Sequence, residues 1–243
     1  MNVLSLFDGM SCGQLALERA GIEVDNYFAC EIDKYAIQIT QKNFPNTFQW
    51  GDVTQIKMPT RGSIDLIMGG SPCQGFSFAG DQLAFDDPRS KLFFEFVKIM
   101  NEVKPKYVLL ENVRMKKEFE DVITQHMGFA PQLINSSLKS AQNRWRNYWW
   151  GKLVNGKYEQ IPVEPMQDLG LVLKDILQED HGEPPVPINE RNAKHHKHPY
   201  QKSLCTTATM YKGAGNNGMT IVDRLIPVGM AEEYAHYNYR ATK

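Results

Sequence analysis

The feature that most constrains the fold is an alternation repeated along the first half of the chain: short apolar run, polar or glycine-rich loop, helical stretch. Asn2 to Phe7 is a short apolar run ending in Asp8-Gly9-Met10-Ser11-Cys12-Gly13, after which Gln14 to Ala20 reads as a helix stopped by Gly21. A second strand around Tyr27 to Ala29 ends at Glu31 and Asp33, and a helix over Ala36 to Asn43 stops before Pro45. Phe48 to Gly51 forms a further run, ended by Asp52. Asp65 to Met68 reads as a buried strand entering Gly69-Gly70-Ser71-Pro72-Cys73; Ser90 to Val103 follows as a helix, and Tyr107 to Leu110 as a strand ending in Glu111-Asn112. Such units predict a doubly wound α/β sheet whose ligands bind beyond the carboxyl ends of the strands.

The pattern covers residues 1–155, read as one domain. From 156 to 243 it weakens. Pro162, Pro165, Pro184, Pro185 and Pro187 interrupt it, and residues 181–198 are polar and irregular. Two β-rich runs, Ser203 to Tyr211 and Met219 to Val222, then flank a glycine loop from Lys212 to Gly218. This part reads as a linker and a loop-rich, β-rich region.

At 243 residues the chain can bury a core without disulfide or metal staples, and 42% hydrophobic against 23% charged residues exclude a disordered or low-complexity chain. Twenty-seven Lys+Arg against 28 Asp+Glu leave a net charge of -1, so a polyanionic partner must be met by a local patch. The N-terminus lacks a basic leader, and no long apolar stretch follows, so a soluble cytoplasmic chain with no membrane partner is expected. Four separated cysteines without a Cys-x-x-Cys pair suit reduced thiols. His195-His196-x-His198 lacks paired ligands at zinc spacing, and no metal is assigned to it.

Asp8-Gly9-x-x-x-Gly13 after a strand reads equally as a nucleotide-type loop or a tight turn. Glu31 stands where such folds hold ribose hydroxyls, with a plain surface carboxylate as the alternative. No phosphate-gripping Gly-x-x-x-x-Gly-Lys is present, and an acid in the first loop repels a pyrophosphate, so a cationic adenosine ligand fits better. In Ser71-Pro72-Cys73-Gln74-Gly75-Phe76-Ser77, Pro72 extends Ser71 and sets the entry angle of Cys73, whose thiol is thereby presented; an inert buried cysteine is the alternative. Glu111, ending another parallel strand, would face Cys73 as a general acid, and the two together imply covalent catalysis.

Phe7-Asp8-Gly9-Met10-Ser11-Cys12-Gly13, Ser71-Pro72-Cys73-Gln74, Glu111-Asn112-Val113 and Gln142-Asn143-Arg144-Trp145-Arg146, in this order and at these intervals, resemble the DNA (cytosine-5) methyltransferase family. The resemblance covers about the first 150 residues. It implies a Rossmann-like methyltransferase sheet with a partial, β-rich target-recognition region, and S-adenosyl-L-methionine as cofactor, leaving as S-adenosyl-L-homocysteine. It further implies that Phe7 stacks near the adenine, that Asp8, Gly9, Ser11, Cys12 and Gly13 wrap the methionine part, and that Glu31 takes the ribose, with Ile32 a further cofactor contact. Asp52 and Val53 would meet the adenine edge, and Leu92 the cofactor side. Ser71, Pro72, Gln74 and Gln142 would contact the substrate, double-stranded DNA.

The chemistry accounts for these residue types. Cytosine C5 is too electron-poor to attack a methyl sulfonium until a thiolate, here from Cys73, adds to C6. The charge pushed onto N3 and O2 calls for Glu111 as proton donor and for Arg144 or Arg146 as fixed cations. The target base must leave the duplex, so a DNA groove is needed. From Ser136 to Tyr158 stand Lys139, Arg144, Arg146, Lys152 and Lys157 with no acid, interleaved with Trp145, Tyr148, Trp149, Trp150 and Tyr158. This is the required local patch, with Trp149 or Trp150 expected in the core.

The family usually continues to a further Arg-containing helix and a Gly-Asn motif that completes the cofactor site, and neither is visible. The expectation is a missing C-terminal segment or a separate C-terminal subunit, in a prokaryotic or phage-encoded protein. Two other readings are an RNA cytosine methyltransferase and a non-catalytic regulatory subunit. Gly75-Phe76-Ser77 after Gln74 resembles the DNA-modifying members more, and a regulator has no reason to keep Cys73, Glu111 and the cofactor loop together.

Overall fold

A computed structural model describes residues 1–72, 88–178, 202 and 226–227. The chain divides into two compact units, one formed by Met1–Ile134 with Arg146–Val163, the other by Asn135–Trp145 with Glu164–Lys243.

The first unit is built on strands β1 (Asn2–Leu6), β2 (Asn26–Cys30), β3 (Phe48–Gln49), β4 (Leu66–Gly69), β5 (Tyr107–Val113), β6 (Gln132–Asn135), β7 (Trp145–Val154) and β8 (Lys157–Gln160). Helices α1 (Cys12–Arg19), α2 (Lys34–Asn43), α3 (Pro88–Val103) and α4 (Lys117–Met127) connect them. The sheet runs β3-β2-β1-β4-β5-β7-β6, with β8 paired to β7. β1, β2, β3, β4 and β5 are mutually parallel, whereas β7 is antiparallel to β5 and β8 to β7.

The central strands β1 and β4 read as near-continuous apolar runs because helices cover both faces. On one face Leu4, Leu6, Ile67, Val108 and Leu110 pack with Phe93 and Phe96 of α3 and Phe119 and Ile123 of α4. On the other, Val3, Tyr27, Ala29, Leu66 and Met68 pack with Leu17 of α1. This is the doubly wound sheet expected from the alternation. Among the described residues no helix is long and apolar enough to cross a membrane.

Two local expectations change. β1 stops at Leu6, and Phe7 turns to a left-handed φ of 59°, since the next backbone N–H, that of Asp8, reaches across to the carbonyl of Cys30. β5 runs on through Glu111 to Val113, because β7 pairs with it as far as Val113 after β4 has stopped; Glu111 therefore lies within a strand, not at its end. The basic stretch after residue 145 is a hairpin, β7 to β8, turned by Asn155 (φ 49°) and Gly156 (φ 83°), the pair of left-handed residues that a two-residue hairpin loop requires.

The second unit contains short 3-10 turns at Ser136–Leu138 and Leu173–Ile176 and an antiparallel pair of β9 (Leu177–Gln178) with β10 (Ile226–Pro227). Lys202 Nζ donates to the carbonyls of Ser137, Ser140 (3.2 Å) and Leu171 (2.7 Å), tying together turns distant in sequence. The β-rich runs read at 203–211 and 219–222, and the histidines at 195–198, lie outside the described residues.

Candidate active site

The loop after β1 is shaped by its own side chains. Asp8 Oδ1 accepts the Tyr27 hydroxyl at 2.8 Å and Oδ2 accepts the Ser11 hydroxyl, while the Asp8 carbonyl takes the Ser11 N–H at 3.3 Å. Burial raises the Asp8 carboxyl above its ordinary range against the pull of its hydroxyl donors Ser11, Ser5 and Tyr27. Ser11 caps α1 from a left-handed conformation (φ 58°) without a side-chain cap bond, since its hydroxyl is committed to Asp8. Gly9 is left-handed as well, at φ 61°, and faces open space. Cys12 is exposed and Cys30 is buried, and neither is in a disulfide. Burial, with the charges of Asp8, Asp52 and Glu31 nearby, pushes the Cys30 thiol up to about 12, leaving it an inert packing group.

Glu31 follows β2 and is held by backbone donors. Its Oε2 accepts the Gly9 N–H and its Oε1 the N–H groups of Ile32 and Asp33, each at 2.8 Å. Three of the roughly four acceptor positions of a carboxylate are thereby filled, leaving one on Oε2 for a ligand hydroxyl. Beside it Ile32 is 76% exposed, an apolar face next to an acceptor. Asp33 caps α2 through Oδ1, which accepts from Tyr35 and Ala36. Asp52 closes its own turn onto Thr54 at 2.9 Å, and the adjoining Val53 is buried. Phe7 and Leu92 are half-buried against the core. An exposed apolar platform, a hydroxyl acceptor and an open glycine loop at the carboxyl ends of β1 and β2 fit a nucleoside cofactor. A separate cavity of about 490 Å³, lined by Trp50, Ile56, Lys57 and Met58, contains none of the expected residues.

The second cluster lies where β4 and β5 end. Strand alternation sends Glu111 and Asn112 to opposite faces of β5. Asn112 is buried and its Nδ2 donates to the Ser71 carbonyl (3.4 Å) and to Ser71 Oγ (3.3 Å), clamping the chain two residues before Cys73. Glu111 points the other way and forms an ion pair with Arg146, Nε to Oε1 2.9 Å; its side chain is 30% exposed, so a ligand can reach it. Gly70 permits this placement, because a Cβ there would stand 2.9 Å from Glu111 Oε2. Pro72, half-buried, is the last described residue before the gap; Cys73 and Gln74 lie outside the described residues.

Gln142 and Arg144 belong to the second unit. The Gln142 carbonyl accepts the hydroxyls of Ser136 and Ser140, and Arg144 is fixed by its backbone, its N–H donating to Asn135 Oδ1 at 3.0 Å and its carbonyl accepting from Ser136. Trp149 is fully buried, with its indole N–H on Thr124 Oγ1 at 3.1 Å, so it is the core tryptophan expected of the pair. Reading the sequence missed Asn112 as a clamp, Gly70 as clearance for Glu111, and Tyr27 as partner of Asp8. The Gly69-Gly70 doublet was the visible signal for the second of these.

Known proteins are similar to this chain. The type II methyltransferase M.Eco47II of Escherichia coli is 44% identical over 117 residues, 46% of this chain and 27% of that protein. The orphan methyltransferase M.SPRI of Bacillus phage SPR is 38% identical over 196 residues, 73% of this chain and 42% of that protein. The matched part thus spans less than half the length of each of these two relatives. The crystal structure of a Spodoptera frugiperda DNMT2 mutant shares the fold, with a TM-score of 0.66 over 99% of this chain and 78% of that one at 23% identity. The chain belongs to the C-5 cytosine-specific DNA methylase family, whose family model matches residues 1–243.

Proposed function

We propose that this chain acts as a DNA (cytosine-5) methyltransferase on a cytosine flipped out of duplex DNA, through a covalent adduct of Cys73. The observation that carries the reading is the ion pair of Glu111 with Arg146, held clear of the backbone by Gly70. It stands at the same end of the sheet where Asn112 clamps Ser71, two residues before Cys73.

In this reading the Cys73 thiolate adds to C6 of the cytosine, and the C5–C6 electron pair moves through the ring to N3 and O2. Glu111 supplies the proton that N3 takes up, and Arg146 orients that carboxyl while presenting a fixed positive charge. C5 is thereby made nucleophilic. After methylation, the C5 proton passes to water, the C5–H electron pair expels the Cys73 thiolate from C6, and N3 returns its proton to Glu111, restoring the aromatic ring. Arg144 and Gln142 serve as further base-side contacts, with Ser71, Pro72 and Gln74 lining the approach.

S-adenosyl-L-methionine, when bound, supplies the methyl group as an activated sulfonium. The residues that would hold it are Glu31 at a ribose hydroxyl, Phe7 and Ile32 at the adenine faces, and Asp52 with Val53 at the adenine edge. Asp8, Gly9, Ser11, Cys12 and Gly13 would take the methionine part, with Leu92 nearby.

Tritium transfer from labelled cofactor to duplex DNA and to transfer RNA tests this reading. Label should enter DNA, and 5-fluorocytosine DNA should trap a covalent complex that Cys73→Ser abolishes while cofactor binding persists. Transfer to RNA alone would establish the RNA-modifying alternative. Cofactor binding with no transfer to either would establish a regulator. Substantial turnover by Cys73→Ser would remove the covalent step.

A further inference from the structure

We infer that Tyr27 is a positioning residue for the cofactor loop, its hydroxyl holding the Asp8 carboxylate so that the turn from Asp8 to Gly13 keeps the shape that takes the cofactor. The inference rests on the cofactor reading above and adds a residue that none of the recognised motifs contains.

Tyr27 sits on β2 beside Val3 of β1, with its ring among Val3, Leu17, Ala29 and Met68. At 3% exposure it cannot itself touch a ligand, so whatever it contributes must pass through a neighbour. The surroundings of the ring would suit phenylalanine equally well. What phenylalanine cannot supply is the hydroxyl, which donates to Asp8 Oδ1 at 2.8 Å. The Ser11 hydroxyl donates to the other carboxylate oxygen, so Asp8 is gripped from β2 on one side and from the start of α1 on the other. The same phenol oxygen lies against the loop's last residue: a Cβ on Gly13 would be 3.2 Å from it. Burial pushes the phenol well above its ordinary range, which keeps it a hydrogen-bond donor at every working pH.

The loop needs such a grip. Phe7 at φ 59° and Ser11 at φ 58° are left-handed residues with side chains, separated by left-handed Gly9. A conformation of this kind persists where surrounding contacts over-determine it. Contacts from outside the loop include the hydroxyls of Tyr27 and Ser5 on the Asp8 carboxyl, the Asp8 N–H on the Cys30 carbonyl at 3.1 Å, Glu31 on the Gly9 N–H at 2.8 Å, and Thr40 on the Gly9 carbonyl at 3.4 Å. Among the side chains, Glu31 is already the expected ribose ligand, and the Thr40 bond is long. Tyr27 is an external side chain whose hydroxyl can be removed without removing a ligand group.

The experiment is Tyr27→Phe in the full chain, read by calorimetric titration with S-adenosyl-L-methionine, by KM and kcat for the cofactor, and by thermal unfolding. Cofactor Kd and KM should rise about tenfold, the size expected for loss of a hydrogen bond to a charged group, while kcat at saturating cofactor stays within about twofold. Ser11→Ala, which releases the carboxylate from the other side, should weaken cofactor binding in the same way. The double variant should weaken binding by less than the product of the two single effects. An unchanged cofactor Kd in Tyr27→Phe overturns the inference, as does a fall in kcat with unchanged KM, the pattern of a residue that merely keeps part of the chain folded. Failure of the unsubstituted chain to bind S-adenosyl-L-methionine would instead overturn the cofactor reading on which this rests.

Discussion

Arg146 and Glu111 meet diagonally across the antiparallel pair of β5 and β7. Glu111 stands opposite Tyr148 and Val113 opposite Arg146, so the guanidinium reaches back one pleat on the same face to bring Nε to 2.9 Å from Oε1. Register between two strands thus aims the carboxyl that the proposed chemistry uses.

Replacing Arg146 by Ala should leave the fold intact, since the pair is partly exposed, and should slow single-turnover methyl transfer by roughly 10²- to 10³-fold, the range seen when a fixed electrostatic contact to developing charge is lost. Rapid-quench measurement of tritium transfer reads this directly. An unchanged rate would assign the pair to strand pairing alone.

The two adjacent glycines should respond differently. A methyl on Gly70 meets the movable end of Glu111 at 2.9 Å, so Gly70→Ala should cost less than about 1 kcal/mol of stability while slowing the chemical step about tenfold or more by displacing the carboxyl. A methyl on Gly69 meets the Leu6 carbonyl oxygen at 2.3 Å, and backbone cannot step aside; Gly69→Ala should cost about 1–3 kcal/mol or more. Urea denaturation compares the two, and equal losses of stability would contradict the distinction.

In the core, Trp149→Ala should destabilise by about 3–5 kcal/mol, because the indole is fully buried among Phe119, Ile123 and their neighbours. Thr124→Val should cost about 1–3 kcal/mol by leaving the indole N–H without its acceptor. Chemical denaturation of both variants, alone and combined, checks the assignment: with Trp149 gone, the threonine substitution should cost much less.

Asp33→Ala should lower stability by about 1 kcal/mol through loss of the α2 cap. Glu31 depends on the adjacent Asp33 N–H, which the substitution retains, so cofactor affinity should change by less than about threefold. Calorimetry and thermal melting separate the two effects, and a large loss of affinity without loss of stability would show that the cap also shapes the site.

Asp8 gives a pH signature. Its pKa is raised by burial above the ordinary 3.8, so the charged form opposes folding. The favourable contribution of the neutral carboxyl is complete below pH 3.8 and is lost as pH rises through the folded pKa. Asp8→Asn, whose amide oxygen can still accept from Tyr27, should therefore gain in Tm relative to the unsubstituted chain as pH rises above the ordinary 3.8. Melting curves at intervals across that range test this, and a constant difference would mean that the burial cost is met elsewhere.

Local patterns in the sequence determined local structure. The apolar runs of β1, β2 and β4, the helices after them, and the glycine-rich or acidic residues at the strand ends were legible because each reflects an energy settled within a few residues: burial period, capping, and the freedom of glycine. Helix α4 carries the same kind of local signal, with Phe119, Ile123 and Met127 buried at intervals of four. What only the tertiary structure decided is which distant residues meet. Glu111 was expected at a strand end and lies inside one, because β7 extends its pairing; Arg146 joins it through a register that no local pattern encodes. Tyr27 was legible only as a strand residue; its ring packs in the core and its hydroxyl acquires a task from the fold of β1 beside β2. Strand partners are chosen by the burial and hydrogen bonding of the whole sheet, a sum over the molecule that no short window of sequence contains.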